Sequence, residues 1–144
     1  MQHLIKSISS LYRRWNGADP QKVDVLPQSG SERRYFRLFG ENSSVIGTYG
    51  ANIKENDTFI YFSGEFSKKN LAVPEILAFS DDRMFYLQQD FGDVSLLNRL
   101  EAEGFTDNIY SLFKKSLATV ALLQVKGDEG LNYKNCLTNT EFGK

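Results

Sequence analysis

The sequence predicts an α+β fold built on a five-stranded antiparallel sheet, and three observations support this prediction. Short segments with alternating apolar residues are separated by turn-rich joints, as in a meander of strands. Segments with apolar residues at helical spacing lie before, between and after them. Aromatic residues make up 13% of the 144 residues, which favours packing on a sheet over a helical bundle.

The first half of the chain contains a helix and three strands. Leu4, Ile8 and Leu11 stand at helical spacing and predict an amphipathic helix over residues 3–15, which ends at Asn16-Gly17. The predicted strands, joined by turns rich in Gly, Ser and Asn, cover residues 22–27, 34–39 and 44–49.

The second half adds one helix, two strands and two further helices. Asp57 is the predicted N-cap of a helix over residues 57–69, and the strands cover residues 75–79 and 84–88. Ser95 caps a short predicted helix that ends at Gly104, and Thr106 caps a longer one that ends near Gly127. Residues 128–144 have no clear periodicity.

Composition excludes several classes of protein. One cysteine, Cys136, and one histidine, His3, leave no internal disulfide, no cysteine-rich zinc site and no histidine-based catalytic centre elsewhere in the chain. The net charge of −1 gives no general attraction to nucleic acid, although residues 33–37 interleave basic and aromatic side chains. No apolar run of membrane length and no signal peptide occur, so we expect a cytoplasmic protein without nucleic-acid or membrane partners.

Three strands, a helix and two strands form the order of a kinase-type nucleotide-binding lobe. In such a lobe the first hairpin loop lies over the triphosphate, and small residues there let backbone N–H groups approach phosphate oxygens. Ser29, Gly30 and Ser31 are therefore predicted phosphate contacts. The segment after the fifth strand is the predicted hinge, where the backbone of Gln89, Asp90 and Phe91 pairs with adenine.

Three stretches resemble one known superfamily in order and spacing. Residues 26–38 read LPQSGSERRYFRL, residues 71–77 read LAVPEIL and residues 85–93 read FYLQQDFGD. Together they resemble the aminoglycoside phosphotransferase/choline kinase-like superfamily, and more closely its bacterial amino-sugar anomeric kinases. The resemblance covers roughly residues 4–127.

This resemblance implies ATP with Mg²⁺ and phosphate transfer to a hydroxyl of a sugar or another small molecule. The family's catalytic loop, H-x-D-x-x-x-x-N, normally lies in a second lobe. Neither Asp107 nor Asp128 is followed by an Asn at the fifth position, and His3 is the only histidine. We therefore expect residues 1–93 to form the nucleotide lobe and 94–144 to begin a truncated helical lobe. The chain alone is predicted inactive, with the magnesium ligands and the rest of the C-terminal lobe outside it.

The third predicted strand lacks the lysine that pairs phosphates with a helix glutamate in protein kinases. Lys54 follows that strand, Glu65 is the predicted helix-borne partner, and Arg34 or Arg37 is expected to compensate or to be solvated. Asp90-Phe91-Gly92 spells the magnesium motif of protein kinases, but its place after the fifth strand favours the hinge. The alternative function is a non-catalytic interaction module with the same lobe fold.

Overall fold

A five-stranded antiparallel sheet is the centre of the fold in a computed structural model, which describes residues 1–28 and 30–137. The strands lie in the order β1-β2-β3-β5-β4, and every neighbouring pair is antiparallel. Their bounds are β1 Lys22–Val25, β2 Arg34–Phe39, β3 Ser44–Tyr49, β4 Ile76–Phe79 and β5 Phe85–Gln89. The predicted α+β fold with this sheet is confirmed.

Four α-helices accompany the sheet in the part of the chain that is described. They are α1 Gln2–Asn16, α2 Ile53–Lys68, α3 Leu96–Glu103 and α4 Asp107–Asp128, and a single 3₁₀ turn follows at Tyr133–Asn135. α2 connects β3 to β4, as the order of predicted elements requires. α3 and α4 follow the last strand, also as predicted.

One face of the sheet is covered by α1, and the main core lies between them. The buried members of this core are Ile8, Leu11, Tyr12, Phe36, Leu38, Val45, Phe85 and Leu87. Gly47 in β3 lets α1 approach closely, because a Cβ atom at that position would lie 2.5 Å from Ile8 Cγ1. Burial of these apolar side chains is the main stabilising contribution to the sheet and α1.

Two element boundaries differ from the predictions by more than one residue. α2 begins at Ile53 rather than at residue 57, and Asn52 Oδ1 accepts a hydrogen bond from the Glu55 N–H at 3.2 Å. Asn52 is therefore the residue at the start of this helix, and the predicted Asp57 cap is wrong. β1 ends at Val25, because after the hydrogen bond from the Leu26 N–H to the Tyr35 carbonyl the chain enters the loop in which Gln28 donates to the Ser31 carbonyl.

The predicted caps of the last two helices are confirmed. Ser95 Oγ accepts from the Asn98 N–H at 3.1 Å, and the Asn98 side chain accepts from the Ser95 N–H at 2.9 Å. This reciprocal pair is a capping box. Thr106 Oγ1 accepts from the Ile109 N–H at 3.3 Å at the start of α4.

Contacts divide the chain into two compact units. The sheet unit comprises the described residues within 1–64, 74–90 and 132–137, and it contains the sheet, α1 and most of α2. The helical unit comprises residues 65–73 and 91–131, and it contains α3 and α4. The chain leaves the sheet unit after Asp90.

Candidate functional site

The loop between β1 and β2 is a hairpin turn held by local polar contacts. The Leu26 N–H donates to the Tyr35 carbonyl at 2.9 Å and closes the base of the hairpin. Gln28 Nε2 donates to the Ser31 carbonyl at 2.7 Å across the loop. Arg34 donates a hydrogen bond to Gln28 Oε1, so this candidate replacement for the strand lysine is engaged with the loop itself.

Two of the three predicted phosphate-binding residues are described, and both are exposed. Gly30 has a φ of 63°, a left-handed conformation that favours glycine, and no atom lies within 4 Å of a Cβ built on it. Ser31 Oγ accepts from the Arg33 N–H at 3.3 Å. Ser29 lies outside the described residues. The loop thus combines an exposed glycine with an exposed serine, as close contact with an anion requires.

The sheet face opposite α1 carries polar and aromatic residues in register. Tyr35, Thr48 and Tyr86 stand side by side on β2, β3 and β5. α2 lies over part of this face, since the Phe59 ring is 5.5 Å from the Tyr86 ring. Thr48 is fully buried, so the third strand offers a neutral hydroxyl on the face where a kinase lobe has its lysine.

Arg33, at the end of the β1–β2 loop, reaches the first turn of α2. Its Nη2 lies 3.0 Å from Glu55 Oε1 and 3.4 Å from the Glu55 carbonyl oxygen. The guanidinium also lies over the Phe59 ring, 5.6 Å from its centroid. Arg33 Nε is buried and has no hydrogen-bond partner among the residues that the structure describes. The Arg33 side chain is 15% exposed and the Glu55 side chain is 37% exposed, so this ion pair is partly shielded from water.

The start of α2 is fixed in place by a buried asparagine. Asn56 Nδ2 donates to the carbonyls of Gly50 and Arg83, each at 2.8 Å, and the residue has no exposed surface. These bonds connect α2 to the end of β3 and to the β4–β5 turn. Glu55, the preceding residue, is therefore presented to Arg33 by a rigid helix end.

A second charged cluster lies at the end of β5. The Asp90 carboxylate accepts from Arg37 Nε at 2.7 Å, from Arg37 Nη2 at 3.1 Å and from Ser44 Oγ at 2.6 Å. The side chains of Arg37 and Asp90 are 11% and 5% exposed. This bidentate pair connects β2, β3 and the end of β5, and it shields the Arg37 guanidinium from solvent.

The other predicted contacts are placed as follows. The Gln89 N–H donates to the Glu75 carbonyl at 2.9 Å, so that donor is used within the sheet unit. Phe91 is 67% exposed and belongs to the helical unit. Glu65, also in the helical unit, lies 2.5 Å from Lys68 Nζ within α2. The acidic residue of α2 that pairs with Arg33 is Glu55 instead.

Burial changes the acidity of one tyrosine beside this cluster. Desolvation raises the pKa of Tyr86 from 10.0 to about 12, and the nearby Arg33 charge lowers it in part. Tyr86 is 1% exposed. It is therefore neutral at physiological pH and does not neutralise the guanidinium.

A local sequence pattern indicates the position of Glu55 in α2, although Glu65 was the predicted partner. Asn52 followed three residues later by Glu55 is the pattern of a helix N-terminus, and it places Glu55 in the first turn. No comparable local pattern indicates Arg33, because its contact with α2 joins residues 22 positions apart. The Arg33–Glu55 pair is thus a product of the tertiary fold.

The described residues contain no cluster of three or more His, Cys, Asp or Glu side chains able to hold a metal. Within the same residues, no helix is both long and apolar enough to cross a membrane. No protein-family model matches the chain, and no curated protein matches it.

Proposed function

We propose that the sheet unit is the ATP-binding lobe of a small-molecule phosphotransferase of the aminoglycoside phosphotransferase/choline kinase-like class. The observation that carries the proposal is the strand order β1-β2-β3-β5-β4, with α2 between β3 and β4 and an exposed glycine turn between β1 and β2. A kinase-type lobe has the same succession of elements around its nucleotide. The accepting hydroxyl belongs to a sugar or amino sugar.

The β1–β2 loop supports this proposal by its chemistry. Gly30 and Ser31 are exposed, and the left-handed conformation of Gly30 turns the backbone at the tip of the loop. A glycine there lets peptide N–H groups approach phosphate oxygens without obstruction from a Cβ atom. Adenine would pair with backbone groups of the predicted hinge. Asp90 belongs to this hinge, and its side chain is held in place by Arg37.

The proposal gives this chain a binding role rather than the chemical step. Phosphoryl transfer needs a base that orients the hydroxyl and carboxylates that hold Mg²⁺. His3 is the only histidine, so the family's catalytic loop is not among these 144 residues. In the proposal, the loop and the magnesium ligands come from a C-terminal lobe outside them.

A non-catalytic interaction module with the same fold is the second candidate. It is favoured by β3, where Thr48 stands on the face from which a kinase lysine would reach the phosphates. A module of this kind would keep the sheet and α2 but would not bind nucleotide. Nucleotide binding therefore separates the two candidates directly.

The test is binding of Mg-ATP to the chain, measured by calorimetry and by the shift in melting temperature. We expect saturable binding and a higher Tm, because a ligand that binds only the folded state stabilises it. Gly30→Val should weaken binding by about tenfold, since a β-branched side chain blocks the approach of phosphate. Gly17→Val is the matched control, because Gly17 also has a positive φ and open surroundings but lies at the end of α1.

Two results would contradict the proposal. If the folded chain shows no binding of Mg-ATP at millimolar concentration, the interaction module is the better account. If Gly30→Val and Gly17→Val alter binding equally, the β1–β2 loop does not contact phosphate.

A further inference from the structure

We propose that Arg33, positioned by Glu55, binds the phosphate chain of the nucleotide in place of a basic residue on the third strand. This inference rests on the proposed function and specifies how the site neutralises its anionic ligand. The ligand chemistry that it assigns is a di- or triphosphate, whether free or carried by a nucleoside. Arg33 would be the binding residue, and Glu55 a positioning residue.

The location of Arg33 supports this role. It follows the Gly30-Ser31 turn, and its N–H donates to Ser31 Oγ at 3.3 Å. Its side chain therefore starts at the loop to which the proposed function assigns the phosphates. From there the guanidinium extends to the first turn of α2, where Glu55 Oε1 is 3.0 Å away.

The hydrogen bonding of the guanidinium leaves capacity for an anion. Nη2 contacts both the carboxylate and the carbonyl oxygen of Glu55. Nε is buried and has no partner among the described residues, which is unusual for a guanidinium N–H that is shielded from water. A guanidinium can bind a phosphate oxygen pair through one edge while another edge stays on a carboxylate.

The other basic residues near the sheet are committed elsewhere or lie in solvent. Arg34 donates to Gln28 within the loop, and Arg37 is enclosed with Asp90 and Ser44. Lys54 is exposed at the start of α2. Among these side chains, Arg33 alone is attached to the glycine turn and also paired with a helix carboxylate.

The pairing resembles the lysine–glutamate pair of protein kinases in its electrostatics but not in its position. There a lysine on the third strand contacts the phosphates and a helix glutamate. Here Thr48 occupies β3, and Arg33 enters from the loop before β2 to meet Glu55. A planar guanidinium and an ammonium bind phosphate with different geometry, so lysine is not an equivalent substitute at this position.

The experiment measures dissociation constants of Mg-ATP, pyrophosphate and adenosine by calorimetry for the wild-type chain, Arg33→Gln, Arg33→Lys and Glu55→Gln. Arg33→Gln should weaken Mg-ATP and pyrophosphate by about tenfold or more and leave adenosine within about twofold. Arg33→Lys should weaken the same two ligands by a smaller factor. Glu55→Gln should also weaken binding of Mg-ATP and pyrophosphate by a smaller factor, because the guanidinium then loses the carboxylate that fixes it.

Arg83→Gln is the matched control in this series. Arg83 also stacks on a ring, 4.0 Å from the centroid of Phe79, and it lies 3.9 Å from Asp57 of α2. It is remote from the β1–β2 loop in sequence and has no predicted role with phosphate. All three dissociation constants should therefore match those of the wild type.

The outcomes separate this inference from the proposed function. If the wild-type chain binds Mg-ATP and Arg33→Gln binds Mg-ATP and pyrophosphate equally well, the inference is wrong and the proposed function stands. If Arg33→Gln weakens adenosine as much as Mg-ATP, Arg33 is only structural, which also overturns the inference. Absence of Mg-ATP binding by the folded wild type would overturn the proposed function itself. If Arg33→Gln does not fold, the comparison rests on Arg33→Lys, with unchanged pyrophosphate binding as the contradicting result.

Discussion

Three arginines within five residues have three different environments. Arg33 pairs with Glu55, Arg34 bonds to Gln28, and Arg37 is enclosed with Asp90. Alternation along β2 separates Arg34 from Arg37, because successive side chains of a strand point to opposite faces, whereas Arg33 lies in the loop before the strand. Tyr35 and Arg37 share the face opposite α1, whereas Phe36 contributes to the core under α1. A basic run in a sequence is therefore not one patch when it lies in a strand.

In the Arg37–Asp90 pair, both carboxylate oxygens of Asp90 accept hydrogen bonds. The carboxylate receives two bonds from the guanidinium and one from Ser44, which offsets the cost of removing the charges from water. Both side chains are nearly buried. Because its oxygens are engaged in this way, Asp90 is a poor magnesium ligand despite the Asp-Phe-Gly spelling, and the geometry favours a role in fixing the end of β5.

The raised pKa of Tyr86 predicts a loss of stability in alkali. Between pH 10 and about 12, the unfolded chain releases the phenolic proton while the folded chain retains it. The free energy of unfolding should therefore fall as pH rises through that window, by about 1.4 kcal/mol per pH unit from this group. Urea unfolding of the wild type and Tyr86→Phe, measured at pH values from 8 to about 12, tests this. The variant should lose less stability, and parallel losses in the two proteins would contradict the assignment.

The contact between helix α1 and strand β3 requires a residue without a side chain at position 47. Gly47→Ala would place a Cβ atom 2.5 Å from Ile8 Cγ1 and 2.8 Å from Leu38 Cδ1. We expect this overpacking to lower the free energy of unfolding by about 1–3 kcal/mol. Gly64→Ala is the control, because Gly64 lies on exposed α2 surface with no atom within 4 Å. It should raise stability by about 0.5–1 kcal/mol, since alanine is the better helix residue.

Urea unfolding midpoints of the two glycine variants provide the measurement. A tolerated alanine at position 47 would show that α1 can shift away from β3 at low cost. Equal destabilisation by both substitutions would mean that the effect is not local packing.

Local sequence patterns predict most of the helices and strands, but they do not predict the Arg33–Glu55 pair. β2 and β3 have the predicted bounds, because alternation and the flanking turns mark both ends of each strand. The start of α2 was misplaced because Asn52 and Asp57 are both acceptable caps in sequence, and only tertiary anchoring by Asn56 favours the earlier one. The Arg33–Glu55 pair depends on the packing of α2 against the sheet, and no spacing rule encodes such a long-range contact.

Across the whole chain, burial is unevenly distributed between the two units. The sheet and α1 hold the continuous buried core. In α4, Ile109 and Gly127 are the buried residues among those described, and several large apolar side chains stay exposed, namely Tyr110, Phe113, Leu117, Val120, Leu122 and Val125. Since stability within a protein follows local burial, the two units should differ in the free energy at which they open.

Native-state hydrogen exchange can resolve this difference residue by residue. We expect the amides of β3 to exchange most slowly, because β3 is bonded on both edges, to β2 and β5, and buried residues occupy its centre. Amides in the middle of α4 should exchange at least about tenfold faster, since few buried contacts oppose local opening of that helix. Peptide chain exchange rates at the same pH and temperature provide the reference. Equal protection of β3 and α4 would contradict the prediction and would show that the chain opens as one cooperative body.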